Sequence, residues 1–300
     1  MQIIDGRKLR GEILAKVKKE VAELNFTPVF CDVLVGDDSA SIQYVEMKAK
    51  TAEMVGIHFH KAVFPASIST EDLIKEIQSL NKIKNMCGII VQLPLPASID
   101  KGAILDSIDS RLDVDCLGTL ASHKFYDSYD SQTDLAYPTA LACMALLDSI
   151  NLDLKAKNIV ILGQGILVGK PVAALLHYRG LNYLPVTSKT ENKEYILRQA
   201  DIIISGIGKA KYITGNMIKF GAVLIDAGTS EEGATPSGDR KNIVGDVDLE
   251  SVKNIAGYLS PVPGGVGPVT VAMLLNNVLK VAKSFAKAGI SGDNSTKANI

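Results

Sequence analysis

The chain is poor in the residues that build metal centres and disulfide frameworks. It has four cysteines and four histidines in 300 residues. Cys31, Cys87, Cys116 and Cys143 are scattered, with no C-x-x-C pair, so we expect reduced thiols in the cytoplasm and no metal site. His58 and His60 form an H-x-H without an obvious third ligand, and alternate positions on a strand explain that spacing. Charge of one sign is missing too. A formal net charge of -1 argues against a general nucleic-acid or membrane-surface binder. No apolar run approaches the roughly 18 residues that span a bilayer. The first ten residues lack the apolar core of a secretory signal. What remains, 47% hydrophobic and 22% charged, is an ordinary globular composition at a length that suggests two domains.

Helical and strand patterns alternate almost throughout, as in an α/β protein with mostly parallel strands. Helical spacing covers residues 8–24, 40–55, 70–80 and 139–149, with Gly56 ending the second and Ser69 capping the third. β-rich runs cover 29–35, 57–63 and 88–93. The stretch 117–136 is polar and aromatic, has no clear period, and marks the approach to a domain boundary. Beyond it a strand at 158–162 leads into Gly163-Gln164-Gly165, a helix at 168–178 and a strand at 182–186. Further strands follow at 202–205 and 222–225. Strand, glycine turn, helix, strand is the βαβ unit of a doubly wound sheet.

Six short stretches are candidates for chemistry. Pro261 to Pro268 reads P-V-P-G-G-V-G-P, a stiff loop directly before a long apolar helix. It is either a plain connector or a backbone that something approaches closely. Gly163 to Gly169 reads G-x-G-x-x-x-G at a helix start, a spacing suited to a pyrophosphate but found also in α/β turns that bind nothing. The end of the next strand is Thr187-Ser188-Lys189-Thr190, with no carboxylate before Glu191. A hydroxyl and a lysine suit a ribose 2′-phosphate better than a bare ribose. Tyr44 and Lys48, four apart, share a helix face. A ring beside an amine can bracket a flat ligand while the amine moves protons; a solvated amphipathic helix has the same spacing. Gln92 ends an apolar strand in V-Q-L-P-L-P, where an unpaired amide is costly. Asp113-Val114-Asp115 offers a carboxylate for a donor-rich heterocycle edge, or only a solvated turn.

Together these stretches resemble the methylenetetrahydrofolate dehydrogenase/methenyltetrahydrofolate cyclohydrolase family, of the bifunctional FolD type. The marks are V-G-D-D-S-A-S with Y-V-E-M-K, V-Q-L-P-L-P, D-V-D, V-G-K-P, I-K-F-G-A-V-L-I-D-A-G, G-D-V-D and P-V-P-G-G-V-G-P, in order over nearly the whole chain. The resemblance implies an N-terminal α/β catalytic domain and a C-terminal Rossmann-like doubly wound parallel sheet, with the active site in the cleft between them. On it, residues 1–136 form the tetrahydrofolate-binding catalytic domain, completed by a C-terminal helix at 269–285. Residues 137–268 form the NAD(P)-binding domain, and 286–300 are a flexible tail.

The implied activity is oxidation of 5,10-methylenetetrahydrofolate with NADP, NAD being the alternative, then hydrolysis of the methenyl product to 10-formyltetrahydrofolate. Lys48 is then the general acid/base, with Gln92 holding it in a useful protonation state. Tyr44 stacks along the folate and Asp115 accepts from the pterin edge. Leu93 and the loop residues Pro263, Gly264, Gly265, Val266, Gly267 and Pro268 line the substrate pocket. Gly163, Gln164, Gly165, Ser188, Lys189 and Thr229 fall where the family binds NADP. A cytoplasmic homodimer is implied as well.

The departures cluster around the cofactor. The family's G-R-S is Gly163-Gln164-Gly165, its C-H-S is Val186-Thr187-Ser188, and its G-I-N is Gly228-Thr229-Ser230. On the folate side, its D-V-D-G ends in Cys116. Losing an arginine contact to phosphate costs roughly 1.5–3 kcal/mol unless Lys189 substitutes. Three rival readings stay open: a monofunctional cyclohydrolase with a degenerate nucleotide site, a non-catalytic folate-binding protein, and a different nicotinamide dehydrogenase on this scaffold, which has only the glycine turn in its favour.

Overall fold

The structure is a computed structural model that describes residues 1–232 and 242–289. Two compact units emerge. One holds Met1–Gly11 and Tyr137–Met273; the other holds the chain from Glu12 to Ala136 and from Leu274 onward. In chain order the strands are β1 (Gln2–Ile3), β2 (Val29–Val35), β3 (His58–Phe64), β4 (Met86–Val91), β5 (Ile159–Leu162), β6 (Tyr183–Val186), β7 (Ile202–Ser205), β8 (Val223–Asp226), β9 (Ser230–Glu232), β10 (Asn242–Val244) and β11 (Tyr258–Ser260). The helices are α1 (Gly6–Val21), α2 (Ser39–Met54), α3 (Thr70–Leu80), α4 (Lys101–Asp106), α5 (Thr119–Asp127), α6 (Pro138–Asp148), α7 (Gly169–Tyr178), α8 (Lys193–Gln199), α9 (Leu249–Val252) and α10 (Val266–Lys287).

The unit from Glu12 is built on a parallel sheet in the order β3-β2-β4. Every residue of β2 and of β4 is buried. That fits parallel strands covered on both faces, which read as continuous apolar runs. One residue of β2 breaks the run: Asp32. The helices start where short polar side chains replace missing backbone partners. Asp38 accepts from the Ser41 amide at 2.8 Å, and Ser69 accepts from the Asp72 amide at 3.1 Å. In α3 the buried residues Leu73, Ile77 and Leu80 form one apolar stripe. The stretch 117–136 is not aperiodic throughout, since α5 occupies part of it. With nine residues and only Ala121 and Phe125 buried, α5 is too short to show a period.

The other unit has a six-stranded, wholly parallel sheet in the order β1-β11-β8-β7-β5-β6. Its strands β5, β7 and β8 are buried at every position. The chain's first residues belong here and not with the residues that follow them. Gln2 and Ile3 pair with Tyr258 and Leu259, and Gly6 lies so close to the Gly265 carbonyl that a Cβ on Gly6 would stand 2.0 Å from it. A two-residue strand carries no periodicity, so sequence pattern alone cannot place it.

Helix α10 begins at Val266, three residues before the expected start, and takes Gly267 and Pro268 into its first turn. Proline is tolerated there because its missing N–H has no partner in any helix. The helix is also long and apolar enough to cross a membrane by length and composition. That corrects the reading that no such stretch exists. With 61% of its most apolar window buried inside the molecule, it fits a core helix. It runs on to Lys287; of the expected tail, residues 290–300 lie outside the described residues.

Candidate active site

Helix α2 carries Tyr44 and Lys48 on one face, and Lys48 reaches into the small sheet. Lys48 is only 2% exposed, and its Nζ lies 4.9 Å from the centre of the Tyr44 ring. The ammonium donates to Gln92 Oε1 at 2.8 Å. Gln92 sits just past β4, where its amide N–H still bonds the Val33 carbonyl of β2 at 2.8 Å. Its side-chain Nε2 donates to the Leu93 carbonyl at 2.9 Å, so both ends of the amide are used and its orientation is fixed. The Leu93–Pro94 peptide that follows is cis.

A further group completes this cluster. Asp32 Oδ2, from the middle of β2, lies 2.6 Å from Lys48 Nζ, and Asp32 is fully buried. Sequence reading missed Asp32, although a signal was there. An acid at the centre of V-F-C-D-V-L-V, a run otherwise buried on both faces, demands a cationic partner. Burial pushes its carboxyl above the usual carboxylate range, while Lys48 and then Lys61 pull the other way.

Asp115 is electrostatically part of the same cluster. Burial pushes its carboxyl up to about 7, with Lys48 opposing and Asp113 and Asp32 adding to the rise. The Tyr44 phenol, in turn, is pushed up to about 12 by burial first and by Asp115 and Asp32 next. Asp113 does a different job. Its Oδ2 accepts the Gly118 amide at 2.7 Å and pins the turn that presents Asp115. Within that turn Cys116, buried and of positive φ (58°), occupies a backbone region that glycine adopts freely. From α10, Asn277 Nδ2 ties down the Val114 carbonyl at 2.9 Å and that of Ala136 at 2.7 Å. Tyr44, Lys48, Gln92 and Asp115 are therefore brought together. Pro263, Gly264, Gly265, Val266, Gly267 and Pro268 belong to the six-stranded unit. There the loop's close approach is partly internal: a Cβ on Gly265 would stand 2.1 Å from Ser260 Oγ.

The six-stranded unit has its own pocket, of about 420 Å³, at the carboxyl ends of β5, β6 and β7. Ligands bind at such ends in open α/β sheets. Gly163, Gln164, Gly165 and Ser188 line it, as do Thr187, Lys193, Lys209 and Tyr212. Lys189 and Thr229 are exposed and not among its lining residues. Gly163 has φ 95°, and a Cβ on Gly169 would stand 2.0 Å from the Gly163 carbonyl oxygen. The turn therefore exists only because both side chains are absent. A side chain at Gly165 would meet nothing within 4 Å, and Gln164 folds its amide onto the Gly163 carbonyl at 2.8 Å. Lys193 Nζ bonds the Ser188 carbonyl at 3.0 Å.

The opposite wall is set by two buried aspartates. Asp246 accepts from Ser205 Oγ at 2.6 Å and from the amides of Ile207 and Lys209, each at 2.8 Å. Asp226 accepts the Gly228, Asp246 and Val247 amides. The G-D-V-D stretch thus shapes the pocket from behind, a role its sequence did not disclose. Among the described residues, no group of three or more His, Cys, Asp or Glu is placed to hold a metal ion. The cradle fits a dinucleotide: an open glycine turn at a helix start, a hydroxyl at the second strand's end, and lysines at the rim.

Comparison with known proteins assigns a family domain to each part of the chain. Residues 4–115 match the catalytic domain of tetrahydrofolate dehydrogenase/cyclohydrolase, and residues 137–286 match its NAD(P)-binding domain. The bifunctional protein FolD of Moorella thermoacetica is 42% identical over 286 residues, covering 94% of this chain and 99% of its own. The crystal structure of FolD from Campylobacter jejuni aligns with a TM-score of 0.87 at 36% identity, covering 95% of this chain and 99% of that one. That of Trypanosoma brucei FolD, complexed with NADP and an inhibitor, aligns with a TM-score of 0.87 at 34% identity, covering 94% and 97%. With the lysine cluster in one matched domain and the glycine cradle in the other, this chain belongs to the tetrahydrofolate dehydrogenase/cyclohydrolase family.

Proposed function

We propose that this protein interconverts 5,10-methylenetetrahydrofolate and 5,10-methenyltetrahydrofolate with NADP and hydrolyses the methenyl compound to 10-formyltetrahydrofolate. The observation that carries the reading is the buried Lys48, oriented by Gln92 and flanked by the Tyr44 ring. Hydrolysis needs a base for the attacking water and an acid for the departing ring nitrogen. One amine can serve both in turn if it is held in place and kept from bulk water. Gln92 accepts from Lys48 without adding charge, so it orients the amine while leaving its proton free to move. Tyr44 offers a flat apolar face to the pterin. Asp115, pushed up to about 7 by burial, recovers its charge when N–H donors of a heterocycle edge meet it.

Bound NADP supplies the hydride acceptor for the oxidative step, and the protein's part in that step is orientation. Gly163, Gln164 and Gly165 would hold the pyrophosphate, and Ser188 with Lys193 would hold the 2′-phosphate. Lys193 stands in for the arginine of the family pattern better than Lys189 does, because it lines the pocket and Lys189 does not. Among the described lining residues there is no carboxylate, the group that takes a bare ribose 2′-hydroxyl in NAD-specific folds. The proposal includes a cytosolic homodimer, on the strength of the family resemblance and of four buried, free thiols. Light scattering behind a sizing column measures the dimer.

The test of the main reading follows methenyl formation from methylenetetrahydrofolate with NADP and NAD side by side, and hydrolysis of added methenyltetrahydrofolate. Turnover in both assays, with a higher kcat/KM for NADP, is expected. Hydrolysis without turnover on either dinucleotide would leave a monofunctional cyclohydrolase.

A further inference from the structure

Among the described residues, four aspartates are buried to 1% exposure or less: Asp32, Asp113, Asp226 and Asp246. Three of them accept main-chain amides. Asp113 takes Gly118, Asp226 takes Gly228, Asp246 and Val247, and Asp246 takes Ile207 and Lys209. Those carboxylates are structural staples. Asp32 differs. Beyond its ion pair with Lys48, neither of its oxygens finds a hydrogen-bond donor among the described residues. A carboxylate that only braced a fold would be bonded to backbone, and an unsatisfied oxygen in a strand core is costly. Its one strong contact is the amine assigned to the chemistry.

We propose that Asp32 is the proton partner of Lys48, a positioning residue through which the lysine becomes a base without losing a proton to solvent. The inference rests on the assignment of Lys48 as the acid/base of hydrolysis. In the resting pair the ammonium faces the carboxylate. An N–H bond of Lys48 breaks and an O–H bond forms on Asp32 Oδ2, leaving a neutral amine and a neutral acid. Water then forms its bond to the amidinium carbon of the methenyl compound, and its proton passes to Lys48. The ammonium so formed protonates the ring nitrogen as the C–N bond breaks. The hydroxyl proton of the new formyl group returns to Lys48, Asp32 gives up its proton, and one proton leaves to solvent. The ion pair is restored, and the sum is methenyl cation plus water giving formyl product plus a proton.

The environment favours this exchange. In a site this dry the neutral pair and the ion pair lie close in energy, because separated charges gain little from solvent. Burial pushes the Asp32 carboxyl upward, toward accepting that proton. The other titratable and charged groups around the pair are Tyr44 on α2, Asp115 in the turn beyond β4 (itself beside Asp113), Lys61 on β3, and Cys31 beside Asp32 on β2. Lys61, paired in register with Asp32, is exposed, and Asp115 opposes it in sign.

On this proposal Lys48 becomes a base by handing its proton to Asp32 across the 2.6 Å contact, not by releasing it to solvent. The native rate of methenyl hydrolysis is therefore expected to be nearly flat through the neutral range. In Asp32→Val and Asp32→Asn, Lys48 is left as a lone buried amine that exchanges with solvent. The kcat profile should gain a rising limb of roughly tenfold per pH unit, with KM within about twofold and NADPH binding unchanged. A native-shaped profile in both variants, at whatever overall rate, would overturn the proposal. A second measurement needs no variant. In the native protein labelled with ¹³C-lysine and ¹³C-aspartate, Lys48 Cε and Asp32 Cγ should respond to pH at common midpoints; independent midpoints would refute a shared proton. Lys48→Met keeps the two levels apart. If that variant still hydrolyses at the native rate, the acid/base assignment falls; if it is inactive and only the Asp32 results fail, the assignment stands and this inference falls.

Discussion

The lysine cluster and the dinucleotide pocket are made in opposite ways. The first is made by adding polar atoms to a core. Lys48 and Asp32 stand where apolar side chains would pack, and each is tolerable only because the other is 2.6 Å away. The second is made by leaving atoms out. Gly163 and Gly169 lack side chains whose Cβ atoms would collide with their surroundings, and the charges sit at the rim on lysines. The difference teaches what each site can tolerate. A buried, mutually dependent set fails together. A shallow cradle with rim charges loses affinity in steps.

The sharpest way to break this comparison is Lys48→Met. Hydrolysis of methenyltetrahydrofolate should fall by about 10²–10⁴-fold, the usual range for a lost general acid/base, while NADPH binding by fluorescence stays native. Comparable hydrolysis in the variant would place the chemistry elsewhere. Gly169→Ala is the mirror experiment. The added methyl would stand 2.0 Å from the Gly163 carbonyl oxygen, so the turn must open. We expect NADPH affinity to weaken by at least about tenfold, more than 1.4 kcal/mol. Hydrolysis should stay within about twofold of native. Smaller still is the effect of Lys193→Met. It removes one rim charge and should weaken NADP binding by about tenfold without changing NAD binding, while Lys189→Met changes neither. Equal losses for NADP and NAD would mean that Lys193 shapes the pocket and does not read the 2′-phosphate.

Much of this was legible in the sequence where a signal was long or chemically redundant. Strand β2 matches its apolar run at both ends, and α3 matches its stripe and its Ser69 cap. Helix spacing and a proline-locked strand end made Tyr44, Lys48 and Gln92 candidates, and the family resemblance supplied their roles. What escaped is set by contacts distant in sequence. The two residues of β1 are a strand only because β11 is there to pair with them. Asp246 shapes the pocket through amides some 40 positions upstream, at Ile207 and Lys209. Lys193 lies closer to the pocket than Lys189 because the turn after β6 points Lys189 to solvent. Asp32 was different in kind. Its signal was present, since an acid inside a buried strand needs a partner, and a reading of 29–35 only as a β-rich run passed over it.

The smallest test concerns the cluster's own scaffold. Cys116 holds φ 58° in the turn that presents Asp115, a conformation that costs a non-glycine residue about 1–2 kcal/mol. Cys116→Gly relieves that strain. Against the relief stand the greater freedom of glycine in the unfolded chain, about 0.5–1 kcal/mol, and the lost burial of a small apolar side chain, about 0.8 kcal/mol. The terms nearly cancel, so the thermal midpoint should move by only a few degrees in either direction. Cys143, equally buried but inside α6, has no such strain to relieve. There Cys143→Gly adds a helix penalty of about 1 kcal/mol to the same loss of burial, and its midpoint should fall clearly further. If the two variants melt alike, the turn at Cys116 is unstrained, and the positioning of Asp115 owes nothing to a tense backbone. If Cys116→Gly melts near native and hydrolysis is unchanged, the hydrogen bonds from Asp113 and Asn277 hold Asp115 in place, and the identity of the residue at the turn is free to vary.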